Sequence, residues 1–291
     1  MNFTSKDVMD LRARTGVGMM DCKKALVESD GDMEKAIEIL REKGMATGAK
    51  RAGKIASQGI VDAYTEGNVS VLVEVNCESD FVARGEQFKE FVQKIAAYIA
   101  SANPADVQAI NDANADLINE TVAKIGEKIV VRRFERYVTD GGKISTYIHM
   151  GGKIGVMVET DATASDEVAH DVALHIAAVN PSYICSSEIP AEVVEKEREI
   201  SKAQLLNEGK KPEIIDKIVG GKISKFYKEV CLLEQPFVKD GEKSVADYLK
   251  ANGGVKVLRF TRYTMGEGLE KKEENLANEV EEQIAKAKAN K

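Results

Sequence analysis

Two stretches of this chain follow the same pattern, and the repetition restricts its fold more than any other feature. Val71-Leu72-Val73-Glu74 leads through a loop to a helical stripe that contains Ile95-Ala96-Ala97-Tyr98. Val156-Met157-Val158-Glu159 leads through a loop to a stripe that contains Ile176-Ala177-Ala178-Val179. Short aliphatic runs bounded by turn residues read as strands, and apolar residues at i, i+3, i+4 and i+7 read as one helix face. A chain that repeats strand, loop and helix predicts two related α+β halves with antiparallel sheets. The copies differ in length: Ile95 lies 21 positions after Glu74, while Ile176 lies 17 after Glu159. The first copy therefore has four additional residues, in the region of Ser79-Asp80-Phe81-Val82-Ala83. A longer loop with a bulky apolar residue is a candidate contact site. From the residues alone, Phe81 reads either as that contact or as a core residue beside an Asp80 N-cap.

The remaining elements fall around this core. Residues 1–54 read as a three-helix module and a linker. Its helices carry Val8 and Leu11, then Met19, Cys22 and Leu26, then Met33, Ala36, Ile37 and Leu40. Thr4 or Ser5 caps the first, Thr15-Gly16 ends it, and Gly16-Val17-Gly18 is a tight turn. Asp32 caps the third, with Gly44 just past its end. Of Met19 and Met20, one is expected to face the module's core and the other a partner. Residues 55–140 form the first core half, and 141–186 with 229–263 the second. Between the two parts of the second half, 187–228 reads as a helical hairpin of coiled-coil type, with Pro212 opening its second helix. In 264–291, Leu276, Val280 and Ile284 form a C-terminal helix stripe that needs a surface to cover.

Most chemistry is missing. There is no G-x-x-x-x-G-K-[ST] phosphate loop and no G-x-S-x-G elbow. His170 and His175 lie five apart, a poor spacing for a shared metal on one helix face, and Cys22, Cys77, Cys185 and Cys231 form no C-x-x-C pair. The expectation is a chain without cofactor or covalent chemistry, with reduced thiols, in the cytoplasm. It has no basic, apolar leader and no apolar run of the ~18 residues a membrane helix needs. The formal net charge is −7, which disfavours DNA. Only Arg41 to Lys54 and Arg132, Arg133 and Arg136 concentrate positive charge. They support an alternative reading, a ribosome- or RNA-associated assembly factor.

Two long motifs carry a family resemblance. Leu11-Arg12-Ala13-Arg14-Thr15-Gly16-Val17-Gly18-Met19-Met20-Asp21-Cys22-Lys23-Lys24-Ala25-Leu26 is the first, and Glu74-Val75-Asn76-Cys77-Glu78-Ser79-Asp80-Phe81-Val82-Ala83 the second. Ala123-Lys124-Ile125-Gly126-Glu127, His149 through Val156, Gln235-Pro236-Phe237 and Gly266-Glu267-Gly268 support them. In these residues the chain resembles the bacterial elongation factor Ts family over nearly its whole length, with Ser79 where members usually have Thr. The resemblance implies an N-terminal module like a ubiquitin-associated domain, a duplicated core and an inserted coiled-coil hairpin. It implies exchange of GDP for GTP on elongation factor Tu, alone or as a homodimer in a two-plus-two complex. It also implies a wedge at Asp80, Phe81, Val82 and Ala83 that disturbs the partner's Mg²⁺ and phosphate site. Met19, Met20, Ile125, Gly126 and His149 are implied as further contacts, and the residues around His149 depart from the family pattern.

Overall fold

A computed structural model describes residues 2–15, 17–51 and 53–270, with side chains outside 45–50. The expected α+β architecture is observed. The chain opens with α1 (Ser5–Thr15), α2 (Met19–Glu28) and α3 (Met33–Arg51). Thr4 and Asp7 cap α1 reciprocally. The Asp7 carboxylate accepts from the Thr4 N–H at 2.6 Å, and the Thr4 hydroxyl accepts from the Asp7 N–H at 3.4 Å. Asp32 caps α3 through the Lys35 N–H at 3.0 Å. Gly16 lies outside the described residues, so the turn expected there does too.

Two expectations for this module change. Met19 does not join the buried stripe: Met19 and Met20 are 40% and 62% exposed, and Val17, Cys22 and Leu26 fill the core at that side. Gly44 does not end α3, which continues to Arg51 and takes up much of the expected linker. A Cβ on Gly44 would stand 2.9 Å from both the Ala123 Cβ and the Asn119 carbonyl oxygen. The glycine is there because two helices approach closely, not because a turn needs it.

The first half of the core contains β1 (Gln58–Glu66), β2 (Val69–Cys77), α4 (Asp80–Arg84), α5 (Glu86–Ala102), α6 (Val107–Ala113), α7 (Ala115–Ile125) and β3 (Val130–Val138). The second contains β4 (Lys143–His149), β5 (Ile154–Thr160) and α8 (Asp166–Val179). After these come α9 (Ala191–Asn207), α10 (Pro212–Val230), β6 (Pro236–Phe237), β7 (Asp240–Ser244), α11 (Val245–Ala251) and finally β8 (Val257–Thr264). Two antiparallel sheets result, ordered β1-β2-β3 and β4-β5-β8. The short α6 was not expected from the sequence. The helical hairpin of α9 and α10 lies between α8 and β8 and packs along Leu205, Ile215, Val219 and Ile223. Ile200 and Ile214 are exposed. Leu276, Val280 and Ile284 lie outside the described residues.

The sheets meet face to face, with a helix behind each. Val71, Val73 and Val75 of β2 pack against α5, while Leu72 joins Val61, Tyr137 and Met157 between the sheets. Both faces of β2 are therefore buried, which is why Val69 to Val75 does not alternate cleanly with polar residues. Gly155 allows the close approach: a Cβ there would lie 2.4 Å from Val61 Cγ1.

The duplication is present, but its register differs from the sequence match. Arg136 donates through Nε and Nη2 to the Ala100 carbonyl at 3.1 and 2.9 Å, and Arg262 donates likewise to the Ala177 carbonyl at 3.3 and 3.2 Å. Left-handed asparagines, Asn103 and Asn180, end both helices. The counterpart of Ile176 is therefore Ile99, one helical turn beyond Ile95. Ile99 lies 25 positions after Glu74, so the first half has eight additional residues rather than four. They correspond to the five-residue α4 and to the start of α5, which has 17 residues against 14 in α8. Apolar residues recur every turn, so a match displaced by four looks almost as good in sequence.

Candidate functional site

The additional segment begins where β2 ends. The buried Cys77 thiol donates to the Ser79 carbonyl at 3.2 Å. Burial, with the Glu127 carboxylate adding to it, pushes that thiol up to about 12. Ser79 is extended, and its hydroxyl accepts from the Val82 N–H at 3.4 Å. The cap of α4 is therefore Ser79 and not Asp80, whose carboxylate instead pairs with Arg84 one turn on at 3.0 Å. Successive helical residues point ~100° apart, and α4 sorts them. Ala83 is buried, Val82 packs on the core, and Phe81 stands 85% exposed. The core reading of Phe81 is not realised. With Val82 and Ile125 beside it, the exposed ring is a candidate contact surface.

A second segment converges on the first. Ile125 ends α7, and Gly126 caps it at φ +78° with open space where a Cβ would sit. The requirement at Gly126 is conformational: it turns the chain so that Glu127 meets residues 78 and 79. The Glu127 carboxylate accepts the Glu78 N–H at 3.1 Å, the Ser79 N–H at 2.9 Å and the Ser79 hydroxyl at 2.6 Å. In return the Glu78 carboxylate accepts the Lys128 N–H at 2.7 Å, and Arg51 donates to both its oxygens at 2.9 Å. Phe81, Val82, Lys124 and Ile125 consequently line one groove. On the other side of α4, Asp80 and Phe81 border a second groove with Gln58, Lys153 and Met265. Sequence reasoning placed Asp80 to Ala83 and Ile125 to Gly126 in separate motifs. Glu78 and Glu127 have no role legible in sequence, and Arg51 reads there only as part of the basic 41–54 stretch, because nothing in the linear chain signals that these charges meet.

The other expected contacts are not part of this site. Met19 and Met20 are exposed on α2 and line neither groove. His149 is exposed at the end of β4, with its Nδ1 3.0 Å from the Tyr147 hydroxyl. The following Met150, Gly151 and Gly152 all have positive φ. This hairpin is fixed to β1 by the Val61 N–H donating to the Gly152 carbonyl at 2.8 Å, and it sends Lys153, not His149, to the second groove.

Several remaining motifs are structural. His175 is buried, with Gln235 Oε1 3.0 Å from its Nε2 and the Val238 N–H donating to its Nδ1 at 3.2 Å. Nδ1 accepts, so the neutral ring carries its proton on Nε2. Burial lowers its pKa, and the Gln235 bond opposes this only partly. Gln235-Pro236-Phe237 thus positions the strand that follows the hairpin. Several of the basic residues are also engaged. Arg41 pairs with Glu120 at 3.1 Å and Lys43 with Glu28 at 2.7 Å. Arg132 and Arg133 pair with Glu74, and Arg136 binds a helix end. Among the described residues, no His, Cys, Asp or Glu group is placed to hold a metal, and no helix is long and apolar enough to cross a membrane.

Comparison with known proteins identifies the family. The family model described as Elongation factor TS matches residues 78–267, from the clamp at the root of α4 to the turn after β8. An Elongation factor Ts of Symbiobacterium thermophilum is 51% identical over 295 residues, covering 96% of this chain and 97% of that protein. One from Clostridium perfringens is 48% identical over 296 residues, covering 96% and 98%. With half of its residues shared along almost its entire length, the chain belongs to the elongation factor Ts family.

Proposed function

We propose that this chain is a translation elongation factor that binds elongation factor Tu carrying GDP and promotes exchange of GDP for GTP. The observation that carries the reading is the 85% exposure of Phe81 on a short helix clamped beside Ile125. A GTPase holds its nucleotide through phosphate-loop amides and Mg²⁺. Nanomolar GDP binding amounts to about 12 kcal/mol. A factor that binds beside the pocket and stabilises a conformation with misplaced metal ligands weakens GDP without competing for the same atoms. Burying Phe81 on the partner contributes up to ~3 kcal/mol. Asp80 brings negative charge toward the metal side, while Val82 and Ala83 hold the helix to the core. Reciprocity requires GDP to weaken this factor as much as the factor weakens GDP. Exchange then passes through a nucleotide-free complex, driven by excess GTP in the cytoplasm.

The remaining contacts follow the same reading. The helical module acts like a ubiquitin-associated domain and presents Met19 and Met20, with Ile125, Gly126 and His149 as further contacts. The hairpin of α9 and α10 is a coiled coil. Neither cofactor nor covalent intermediate is required, and the assembly is one-to-one or two-plus-two. Release of a fluorescent GDP analogue from elongation factor Tu tests this. Wild type should accelerate release, and Asp80→Ala and Phe81→Ala should lose most of the acceleration. A folded wild-type protein without effect sinks the proposal, and acceleration retained by both variants moves the wedge elsewhere.

A further inference from the structure

We infer that Glu127, which touches no partner in the exchange reading, is the positioning residue that holds the Asp80-Phe81 helix in its active orientation; the inference rests on that reading. Three donors converge on its carboxylate, two backbone N–H groups and the Ser79 hydroxyl, at 2.6 to 3.1 Å. A backbone N–H needs an acceptor. Here one side chain, reaching 48 residues along the sequence from Ser79, satisfies two at the entrance to α4. Hydrogen bonds to a carboxylate are stronger than neutral ones. Glu78 returns the contact by accepting the Lys128 N–H, so two crossed carboxylates fix residues 78–79 against 127–128. Arg51 joins the last turn of α3 to the same clamp.

The helix needs such a clamp. With five residues, α4 is too short to be stable alone. Its outward residue is a large apolar side chain, and water favours any rearrangement that covers it. Without the clamp, only a fraction of molecules presents Phe81 correctly, and the effective action of the wedge falls by that fraction. Docking through other surfaces is untouched. The loss therefore belongs in the rate at saturation rather than in the concentration for half-saturation.

The test is stopped-flow release of a fluorescent GDP analogue at increasing concentrations of full-length factor. Wild type, Glu127→Gln, Glu127→Asp, Phe81→Ala and the double variant Glu127→Gln/Phe81→Ala are compared. Glutamine keeps the size but loses the charge: one neutral amide oxygen is left for the two backbone N–H groups, and an NH2 replaces the oxygen that accepts the Ser79 hydroxyl. Glu127→Gln should lower the maximal rate about tenfold while half-saturation shifts less than about threefold, by analogy with the cost of small misplacements. Glu127→Asp, which keeps the charge, should recover part of the rate. In the Phe81→Ala background Glu127→Gln should have no further effect, because its action runs through Phe81. Equal fold-losses in both backgrounds overturn the inference, as does an unchanged rate in Glu127→Gln. A thermal melt of each variant separates these from unfolding, and if Glu127→Gln fails to fold, Glu127→Asp and Ser79→Ala carry the same comparison. Absence of any acceleration by wild type removes the exchange reading itself and this inference with it.

Discussion

Arg133 lies over the ring of Tyr263, its guanidinium carbon 4.2 Å from the centroid, and so joins β3 of one half to β8 of the other. Arg259 over Tyr137 at 3.9 Å repeats the contact with the halves exchanged. Each arginine also donates through Nε to the glutamate opposite it in its own sheet, Glu74 or Glu159, at 2.6 Å. The halves are thus joined by two reciprocal glutamate–arginine–tyrosine sets built from equivalent positions of the repeat. Their surroundings are unequal. Glu74 is fully buried and also accepts from Arg132 at 2.9 Å and from the Gly266 N–H at 2.7 Å, whereas Arg259 is nearly half exposed.

That inequality predicts unequal mutants. Glu74→Ala leaves two arginines and a backbone donor without their acceptor and should cost about 3 kcal/mol or more, as breaking a buried pair does. Glu159→Ala leaves Arg259 free to turn toward water and should cost ~1 kcal/mol. Urea unfolding of both variants checks the order. Equal costs would contradict the asymmetry.

Stability should fall with acid in two steps. The folded pKa of His175 is depressed because burial disfavours its charged form, so the unfolded chain binds the extra proton. Its contribution is therefore present above the unfolded value of about 6.5 and is lost as pH falls below that. Burial alone would raise the Glu74 carboxyl, but Gly266, Arg132 and Arg133 outweigh it and hold the group below the ordinary range. Its contribution is lost only below about pH 4.3. Urea midpoints between pH 8 and pH 5 should decline for wild type and decline less steeply for His175→Gln, whatever its absolute stability.

Helical glycines should respond in opposite directions. Gly220 and Gly221 lie within α10 with open space where a Cβ would stand, so alanine at either should stabilise by up to about 1 kcal/mol through helix propensity. At Gly44 the same gain is opposed by approach to backbone at 2.9 Å. Gly155→Ala has no helical gain and overpacks the seam, which should cost ~1–3 kcal/mol. Thermal melts of the four single variants distinguish these outcomes.

Thiol labelling should be selective. Cys22, Cys77 and Cys231 are buried, and burial pushes Cys77 and Cys231 up to about 12. Cys185 is only half-buried, with its Sγ 3.0 Å from Ser187 Oγ. A chromogenic disulfide reagent at pH 8 should label one thiol per native chain, lost in Cys185→Ser, and four after unfolding.

Local chemistry made much of the fold legible. Asp32 reads as a cap because a carboxylate before an apolar-periodic run satisfies a free helix N–H. The strands around Leu72 and Met157 read from their aliphatic runs. Asp106 caps α6 in the same way as Asp32, accepting the Ala109 N–H at 2.8 Å. With only Val107 and Ile110 as its apolar residues, however, this seven-residue helix is too short to show a helical period. Gly44 misled for a physical reason: a glycine that ends a helix and one that admits a neighbouring helix look identical in sequence. The register of the repeat slipped by one turn for the related reason that helix periodicity repeats.

The sequence by itself determined the α+β class, the duplicated halves, the hairpin between α8 and β8, and the segment in which the additional residues lie. These follow from periodicity, caps and turns, which are properties of neighbouring residues. Only the tertiary structure decided that Phe81 points outward, that Ser79 rather than Asp80 caps its helix, and that Glu127 and Arg51 converge at its root. Those outcomes depend on groups dozens of residues apart competing for the same donors, acceptors and buried space, and that competition is settled only when the chain has folded.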